Sequence, residues 1–167
     1  MRLSVVTAAL LLVGILSSVT AHLEGGVVQM SCTDVVQPCG DGWSRIDENR
    51  CAKYFSTPKA FNDADAQCKS IGSELVSGHK VEEMLNVLCI AVLADFEMKS
   101  FWIGAKRSGD GFVFTDGSEV IFSFWSAGQP DNFTGEEDCV EVKPKYWGVW
   151  NDDDCSDENN FICAKNM

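Results

Sequence analysis

The chain has 167 residues, with 25 acidic and 13 basic side chains, a formal net charge of −12 and a sequence pI near 4.4. A surface of this charge repels phosphate backbones and anionic lipid headgroups, which bind clustered lysine and arginine, so nucleic acid is excluded as a partner. The length fits one domain built around one core.

The first 21 residues are typical of a secretory signal peptide. Arg2 provides the charged start, an apolar run follows, and Val19-Thr20-Ala21 has the small residues of a cleavage site. A transmembrane anchor is the alternative, but the run contains several serines and threonines and is shorter than the roughly 20 residues that span a bilayer. We therefore expect a secreted, extracellular protein with no membrane insertion. Its predicted parts are a signal peptide at 1–21, a short and loosely ordered lead-in at 22–38 and one domain at 39–167.

Eight cysteines follow the signal segment. An even number of cysteines in an exported chain is expected to be oxidised to disulfides, although spacing alone leaves their pairing open. The sequence has no C-x-x-C motif and its only histidines are His22 and His79, so a structural zinc site is not supported. Cysteines held in disulfides are also poor candidates for a catalytic nucleophile.

The first half of the domain contains predicted strands and helices. Residues 42–55 carry aromatic and aliphatic side chains around a turn at 47–49, as in a pair of short strands. A helix is predicted to begin near 57–59 and to end at Gly72, and a second helix is predicted over 80–96, where apolar residues recur with helical spacing.

The second half consists of short aromatic and β-branched runs separated by turns rich in glycine. These runs are residues 101–103, 112–114, 120–125, 139–142, 147–150 and 161–163. Two helices followed by a strand-rich half are typical of an α+β domain, in which helices pack on antiparallel sheets.

Acidic and amide side chains concentrate near the carboxyl end of the chain. The motifs Gln129-Pro130-Asp131, Glu137-Asp138-Cys139 and Trp150-Asn151-Asp152 bring together oxygen ligands, which a hard cation such as calcium selects. The many carboxylates between residues 136 and 158 repel one another unless a positive charge lies among them. This concentration predicts a cation site.

The motifs together resemble the C-type lectin-like domain family, and the resemblance extends from about Cys39 to Ala164. It rests on four motifs in the family's order, which are Trp102-Ile103-Gly104, Gln129-Pro130-Asp131, Trp150-Asn151-Asp152 and Phe161-Ile162-Cys163. The resemblance implies an α+β fold with two helices, antiparallel sheets, a long calcium-binding loop and stabilising disulfides.

The resemblance also implies the disulfide pairs. The expected pairs are Cys68–Cys163, Cys139–Cys155 and, as the extra bridge of the long form of the domain, Cys39–Cys51. Cys32 and Cys89 remain. They either join the lead-in to the second helix, which we favour, or one of them links two chains.

The family's principal calcium site corresponds to five side chains in this sequence. They are Gln129, Asp131, Glu137, Asn151 and Asp152. In the family, two neighbouring sugar hydroxyls complete the shell of the Ca2+ ion and also bond to these side chains. The Gln-Pro-Asp order resembles the galactose and N-acetylgalactosamine type, whereas Glu-Pro-Asn resembles the mannose type. Terminal galactose or N-acetylgalactosamine on microbes or cells is therefore the expected partner.

Residues beside this motif carry further expectations. Phe133 either stacks on the apolar face of the sugar or is an exposed loop aromatic. Asn132 begins an Asn-Phe-Thr glycosylation sequon, and a glycan there would lie at the mouth of the sugar site. The resemblance implies a cis bond before Pro130. A partial second calcium site from Asp110, Asn132 and Asp138 is not expected to be strong, because Lys106 and Arg107 lie near it.

Two other classes of function were weighed. A protein-binding or ice-binding member of the same fold, like antifreeze proteins or venom components, is the alternative to a lectin, because fold does not fix function. An enzyme is not expected, since the sequence has two histidines and no Ser/His/Asp spacing. Association into homo-oligomers is compatible with the sequence.

Overall fold

The computed structural model describes residues 18–23 and 26–167. The strands are β1 (Ser18–Leu23), β2 (Gly26–Ser31), β3 (Pro38–Gly40), β4 (Trp43–Arg45), β5 (Arg50–Lys59), β6 (Glu74–Leu75), β7 (Phe101–Ser108), β8 (Gly111–Phe114), β9 (Cys139–Lys143), β10 (Val149–Asp153) and β11 (Asn159–Asn166). The helices are α1 (Cys32–Val35), α2 (Phe61–Ser70) and α3 (Val81–Ala94), and a 3-10 turn covers Pro144–Tyr146.

A large sheet runs in the order β10-β9-β7-β11-β5-β4-β3, with β6 paired to β11 and β8 paired to β7. Its pairs are antiparallel except β7 and β11, which run parallel where Phe161 lies opposite Trp102. β11 lies between β5 and β7, and it runs antiparallel to β5 and to the short β6. The predicted α+β class is confirmed, with one parallel pair added to the expected antiparallel pattern.

Both predicted long helices are present. α2 begins at Phe61 rather than near residue 57, because β5 continues its pairing with β11 as far as Lys59. Its buried residues Phe61, Ala64 and Cys68 share one face at helical spacing. Among the described helices, none is long and apolar enough to cross a membrane.

Successive residues of β7 divide the core between the two faces of the sheet. Ile103 packs in the cluster that includes Trp150, whereas Trp102 packs with Phe61 of α2. The Trp102 indole N–H donates to the Lys59 carbonyl at 2.9 Å. Gly104 follows at a close approach, since a Cβ there would lie 2.8 Å from the Leu75 carbonyl oxygen. This buried strand pairs with β9, which in turn pairs with β10.

Two predicted strands differ in the structure. Residues 120–125 form no strand, because their apolar side chains are used instead to pack on Trp150, which contacts the rings of Phe122 and Trp125 edge-on. The run at 147–150 enters β10 only at Val149, since Trp147 adopts a left-handed backbone conformation in a turn.

The segment before Cys39 is more regular than the expected lead-in. α1 lies against α3, and Cys32, Leu88, Cys89 and Val92 form a small buried cluster. The disulfide between Cys32 and Cys89 attaches this segment to α3, which explains its order. The predicted signal segment lies outside the described residues except for its last four, which belong to β1.

The cysteines form four disulfides. The pairs are Cys32–Cys89, Cys39–Cys51, Cys68–Cys163 and Cys139–Cys155. They are the pairs that the resemblance implies, with the internal alternative for Cys32 and Cys89. The long Cys68–Cys163 bridge connects α2 to β11, and Cys139–Cys155 ties the start of β9 to the segment after β10.

The turn between β4 and β5 depends on Asp47. Its carboxylate accepts the backbone N–H groups of Asn49 and Arg50 at 2.7 and 2.9 Å and pairs with the Arg50 side chain. Burial alone would raise the pKa of Asp47, but these hydrogen bonds and the Arg50 charge outweigh it and lower the pKa below the usual 3.8.

We expect Asp47→Asn to reduce the free energy of unfolding by about 1 kcal/mol at neutral pH. Because the pKa is lowered in the folded state, this stabilisation is present above pH 3.8 and is lost as the pH falls through the folded value. Urea unfolding at pH 7, 5 and 3 should show the difference between wild type and variant shrinking toward acid. The exposed Asp110→Asn is the control, and a difference that does not change with pH would refute this role of Asp47.

Candidate functional site

Three carboxylates meet at one end of the large sheet. Asp131, Glu137 and Asp152 each offer an oxygen, and these atoms lie within 4.8 Å of one another. Asp131 is exposed, whereas Glu137 and Asp152 are buried. The first two belong to the loop that precedes β9, and Asp152 belongs to β10. The sequence motifs, which are distant along the chain, therefore form one cluster.

β9 and β10 place Asp152 firmly. The two strands pair antiparallel, with Asp152 opposite Val140 and Asn151 opposite Glu141. Trp150, fully buried, anchors β10 in the core two residues before Asp152. A strand fixed by its ladder and by a core tryptophan holds a ligand more rigidly than a loop does.

The other two expected ligands, Gln129 and Asn151, are each hydrogen-bonded to the backbone of a cluster residue. Gln129 Oε1 accepts the backbone N–H of Asp131 at 3.1 Å. The Asn151 amide nitrogen donates to the Asp152 carbonyl at 2.6 Å and to Glu141 Oε1 at 3.1 Å. Both amide hydrogens of Asn151 are thereby used, so the atom that Asn151 can offer to a cation is its carbonyl oxygen.

The loop turns its backbone amides toward the buried acids. The N–H groups of Asp131 and Asn132 donate to the two carboxylate oxygens of Asp152 at 3.1 and 3.0 Å, and that of Phe133 donates to Glu137 Oε2 at 2.8 Å. The Gln129–Pro130 bond is cis. Asn132 Oδ1 accepts the Glu137 N–H at 2.9 Å, which closes the loop on itself.

Arg107 supplies the positive charge nearest to the cluster. Its Nη2 donates to Asp152 Oδ2 at 2.7 Å and to the Glu137 carbonyl at 2.9 Å, and its Nε donates to Asp138 Oδ1 at 2.9 Å. In the sequence, this arginine indicated only that a second calcium site is unfavourable. Its pairing with Asp152 and Asp138 had little sequence signal, because the partners of Arg107 lie 30 to 45 residues away in the chain.

Glu141 is a second residue that sequence analysis did not assign to the site. It is buried, accepts from Asn151 and pairs with Lys143 at 3.1 Å. The antiparallel register of β9 and β10 could have indicated it, since Glu141 lies directly opposite Asn151. Glu141 fixes which end of the Asn151 amide is free.

The surroundings of the cluster are strongly negative. Burial, together with the nearby carboxylates of Glu141 and Asp157, raises the pKa of Asp153 to about 6. A carboxyl group next to the cluster is thus harder to ionise than usual, as expected where negative charge is concentrated. A cation bound at the cluster would relieve this repulsion.

The donor set fits calcium. Three carboxylates and two carboxamides offer hard oxygen ligands of the kinds that calcium accepts in variable number and geometry. Softer metals lack ligands here, since Cys139 and Cys155 are joined in a disulfide. The residues that would hold the ion are Gln129, Asp131, Glu137, Asn151 and Asp152.

Side chains around the cluster are placed differently from one another. Phe133 is 86% exposed, with its backbone fixed to Glu137 and its ring in solvent. Asn132 is exposed in the sequon. Of the three residues considered for a partial second calcium site, Asp138 is paired with Arg107, Asn132 accepts the Glu137 N–H, and Asp110 lies in the exposed turn after β7.

The chain is similar to known proteins over most of its length. Residues 57–165 match the family described as Lectin C-type domain. A C-type isolectin from Scorpaena plumieri is 42% identical over 129 residues, which cover 77% of this chain and 90% of that protein.

Two solved structures illustrate the range of similar folds. The C-type lectin CEL-I from Cucumaria echinata aligns with a TM-score of 0.71 at 28% identity, covering 77% of this chain and 97% of CEL-I. A calcium-independent type II antifreeze protein aligns with a TM-score of 0.68 at 26% identity, covering 78% of this chain and 96% of that one.

Asp152 is buried whereas Asp131 is exposed, so removing each carboxylate should affect stability differently. Asp152→Ala should lower the free energy of unfolding by about 3 kcal/mol, because two loop amides lose their Asp152 acceptor and Arg107 loses its buried carboxylate partner. Asp131→Ala, which removes an exposed carboxylate of the same cluster, should change stability far less. Urea unfolding of both variants in the presence of a chelator measures this difference without calcium. Equal losses for the two would contradict the hydrogen bonding described.

Proposed function

Because this chain belongs to the family of C-type lectin domains, we propose that it is a secreted, calcium-dependent lectin for terminal galactose or N-acetylgalactosamine. The family consists of carbohydrate-binding proteins that are not enzymes. The observation that carries the calcium requirement is the meeting of Asp131, Glu137 and Asp152 within 4.8 Å.

The five oxygen-bearing side chains explain how a sugar would be held. When bound, calcium supplies coordination places for two neighbouring hydroxyls of the sugar ring. The protein then bonds to the same hydroxyls, since carboxylates accept their protons and the Gln129 amide N–H donates to a lone pair. Each sugar hydroxyl is thus recognised by its geometry and by its hydrogen-bonding pattern.

Gln129 and Asp131 present a defined pattern of donors and acceptors. Since Gln129 Oε1 accepts the Asp131 N–H, the amide nitrogen of Gln129 is the group directed to a ligand as a donor. The exposed Asp131 carboxylate only accepts. Exchanging the carboxylate and the carboxamide between these positions would reverse the pattern, which supports a preference for one arrangement of sugar hydroxyls.

Phe133 supports the galactose preference. Its ring is 86% exposed, and its backbone lies two residues beyond Asp131 in a loop held by hydrogen bonds. An aromatic face beside the site can pack on the apolar face of galactose.

The Cys32–Cys89 disulfide and the predicted signal peptide support secretion, because disulfides form and persist in oxidising compartments.

A protein-binding or ice-binding function is the second candidate, and the likeness to a calcium-independent antifreeze protein favours it. The five oxygen ligands of this chain count against an ice-binding surface that works without calcium, because such a surface does not need this concentration of charge. A Ca2+-dependent type II antifreeze protein also aligns, with a TM-score of 0.67 at 25% identity, so binding to a sugar is what separates the two candidates.

The protein should be retained on densely immobilised galactose in calcium and released by a chelator or by acid, because protonated carboxylates do not hold the ion. Dense immobilisation matters since single domains bind weakly and gain avidity by clustering. Thr134→Ala, which removes the sequon, is the control for a glycan at Asn132. Retention that ignores both chelator and acid would refute the calcium mechanism.

The double variant Gln129→Glu with Asp131→Asn should shift binding from galactose toward mannose while calcium binding is kept. Its physical basis is the exchange of acceptor and donor at the two positions. Competition of both free sugars against immobilised galactose and immobilised mannose measures the shift. Unchanged preference for galactose would show that these residues do not select the sugar.

A further inference from the structure

We propose that Arg107 is an internal cation that holds residues 128–138 in the ion-ready conformation before calcium binds. The part of this proposal that concerns calcium affinity rests on the proposed function. The part that concerns the conformation of the loop applies to the calcium-free protein. The inference is carried by the contacts of one guanidinium group with the three segments that form the site.

Arg107 has hydrogen-bond partners both in the loop and on β10. Arg107 lies near the end of β7, and its backbone N–H donates to the Asp138 carbonyl at 2.7 Å. Its side chain reaches Asp138, the Glu137 carbonyl and Asp152 through three further hydrogen bonds. One residue therefore links β7, the loop and β10.

The guanidinium group of Arg107 is held on one side by an aromatic ring. Its plane lies over the Phe112 ring, with 4.7 Å between Arg107 Cζ and the ring centroid, and Phe112 pairs with Arg107 across β7 and β8. The Arg107 side chain is 24% exposed. A planar group held between an aromatic ring and its acceptors is preorganised, which a lysine ammonium in its place would not be.

Asp152 connects Arg107 to the loop tip, which consists of Asp131 and Asn132. The Asp152 side chain is fully buried and shares its Oδ2 between Arg107 and the Asn132 N–H, while its Oδ1 accepts the Asp131 N–H. The loop tip is thus held by the Asp152 carboxylate, whose charge is neutralised by the Arg107 guanidinium. Without that charge, Asp152 would be a buried anion beside Glu137 and Asp131, and the loop would lose its anchor.

Chymotrypsin provides a local readout, because Phe133 in the loop is 86% exposed and Phe96, after α3, is 68% exposed. In chelator, Arg107→Gln should be cleaved after Phe133 about tenfold faster than wild type, in line with the effects of losing partners that orient metal ligands. Cleavage after Phe96 should not change. Arg107→Lys should be intermediate, and Arg45→Gln, which removes an exposed arginine on β4, should match wild type.

Fragment masses after reduction identify the bonds that are cut. Equal acceleration at Phe133 and Phe96 would mean general destabilisation and would overturn the proposal, as would an unchanged rate at Phe133. If Arg107→Gln does not fold, Arg107→Lys carries the same comparison, and an unchanged Phe133 rate in it overturns the proposal.

The effect of calcium on cleavage separates this proposal from the proposed function. Calcium should slow cleavage after Phe133 in wild type, and Arg107→Gln should need about tenfold more calcium for the same protection. Protection of Arg107→Gln at the wild-type calcium concentration or below would show that the guanidinium competes with the ion and would overturn the proposal. Absence of calcium protection in every protein would refute the proposed function, while the chelator comparison would still decide the role of Arg107.

Discussion

The buried carboxylate of Asp152 is the constraint on which the rest of the site depends. A carboxylate out of contact with water must be hydrogen-bonded and paired, and Asp152 meets this requirement with Arg107 and with two amides of the loop. These bonds bring the loop back to β10. The position of the loop, and therefore of Gln129 and Asp131, follows from satisfying one charge on a strand.

The frame around Asp152 is rigid where the site requires it. Trp150 fixes β10 in the core, and the Cys139–Cys155 bridge ties the beginning of β9 to the segment that follows β10. The ligand-bearing loop is exposed and irregular, as binding loops on rigid scaffolds commonly are. This division explains how one side of the cluster can be fixed while the other side remains open to a sugar.

Sequence patterns predicted the elements whose residues interact locally or carry a family motif. The face formed by Phe61, Ala64 and Cys68 predicted α2. The resemblance implied three of the four disulfide pairs, and the fourth, Cys32–Cys89, is the favoured one of two alternatives. Residues 120–125 were wrongly predicted to form a strand, because apolar residues that pack on Trp150 resemble those of a strand.

The candidate site was predictable in its ligand types but not in its supporting contacts. The resemblance implied five ligand positions. The structure brings the carboxylates of Asp131, Glu137 and Asp152 together, and Gln129 and Asn151 bond to the backbone of Asp131 and Asp152. Arg107 and Glu141 were not assigned from sequence. The partners of Arg107 lie up to 45 residues away, and Glu141 is indicated only once the register of β9 and β10 is known. Such contacts are set by the tertiary fold, which local pattern does not determine.

We propose that one calcium ion is shared by these side chains and by a sugar. Calorimetric titration of calcium into the ion-free, fully oxidised protein, with and without galactose, measures this sharing. Because binding free energies are reciprocally linked, a sugar that completes the shell of the ion must raise the affinity for calcium. We expect one ion per chain and tighter binding in galactose. No heat of calcium binding, or an affinity for calcium that galactose leaves unchanged, would contradict the account.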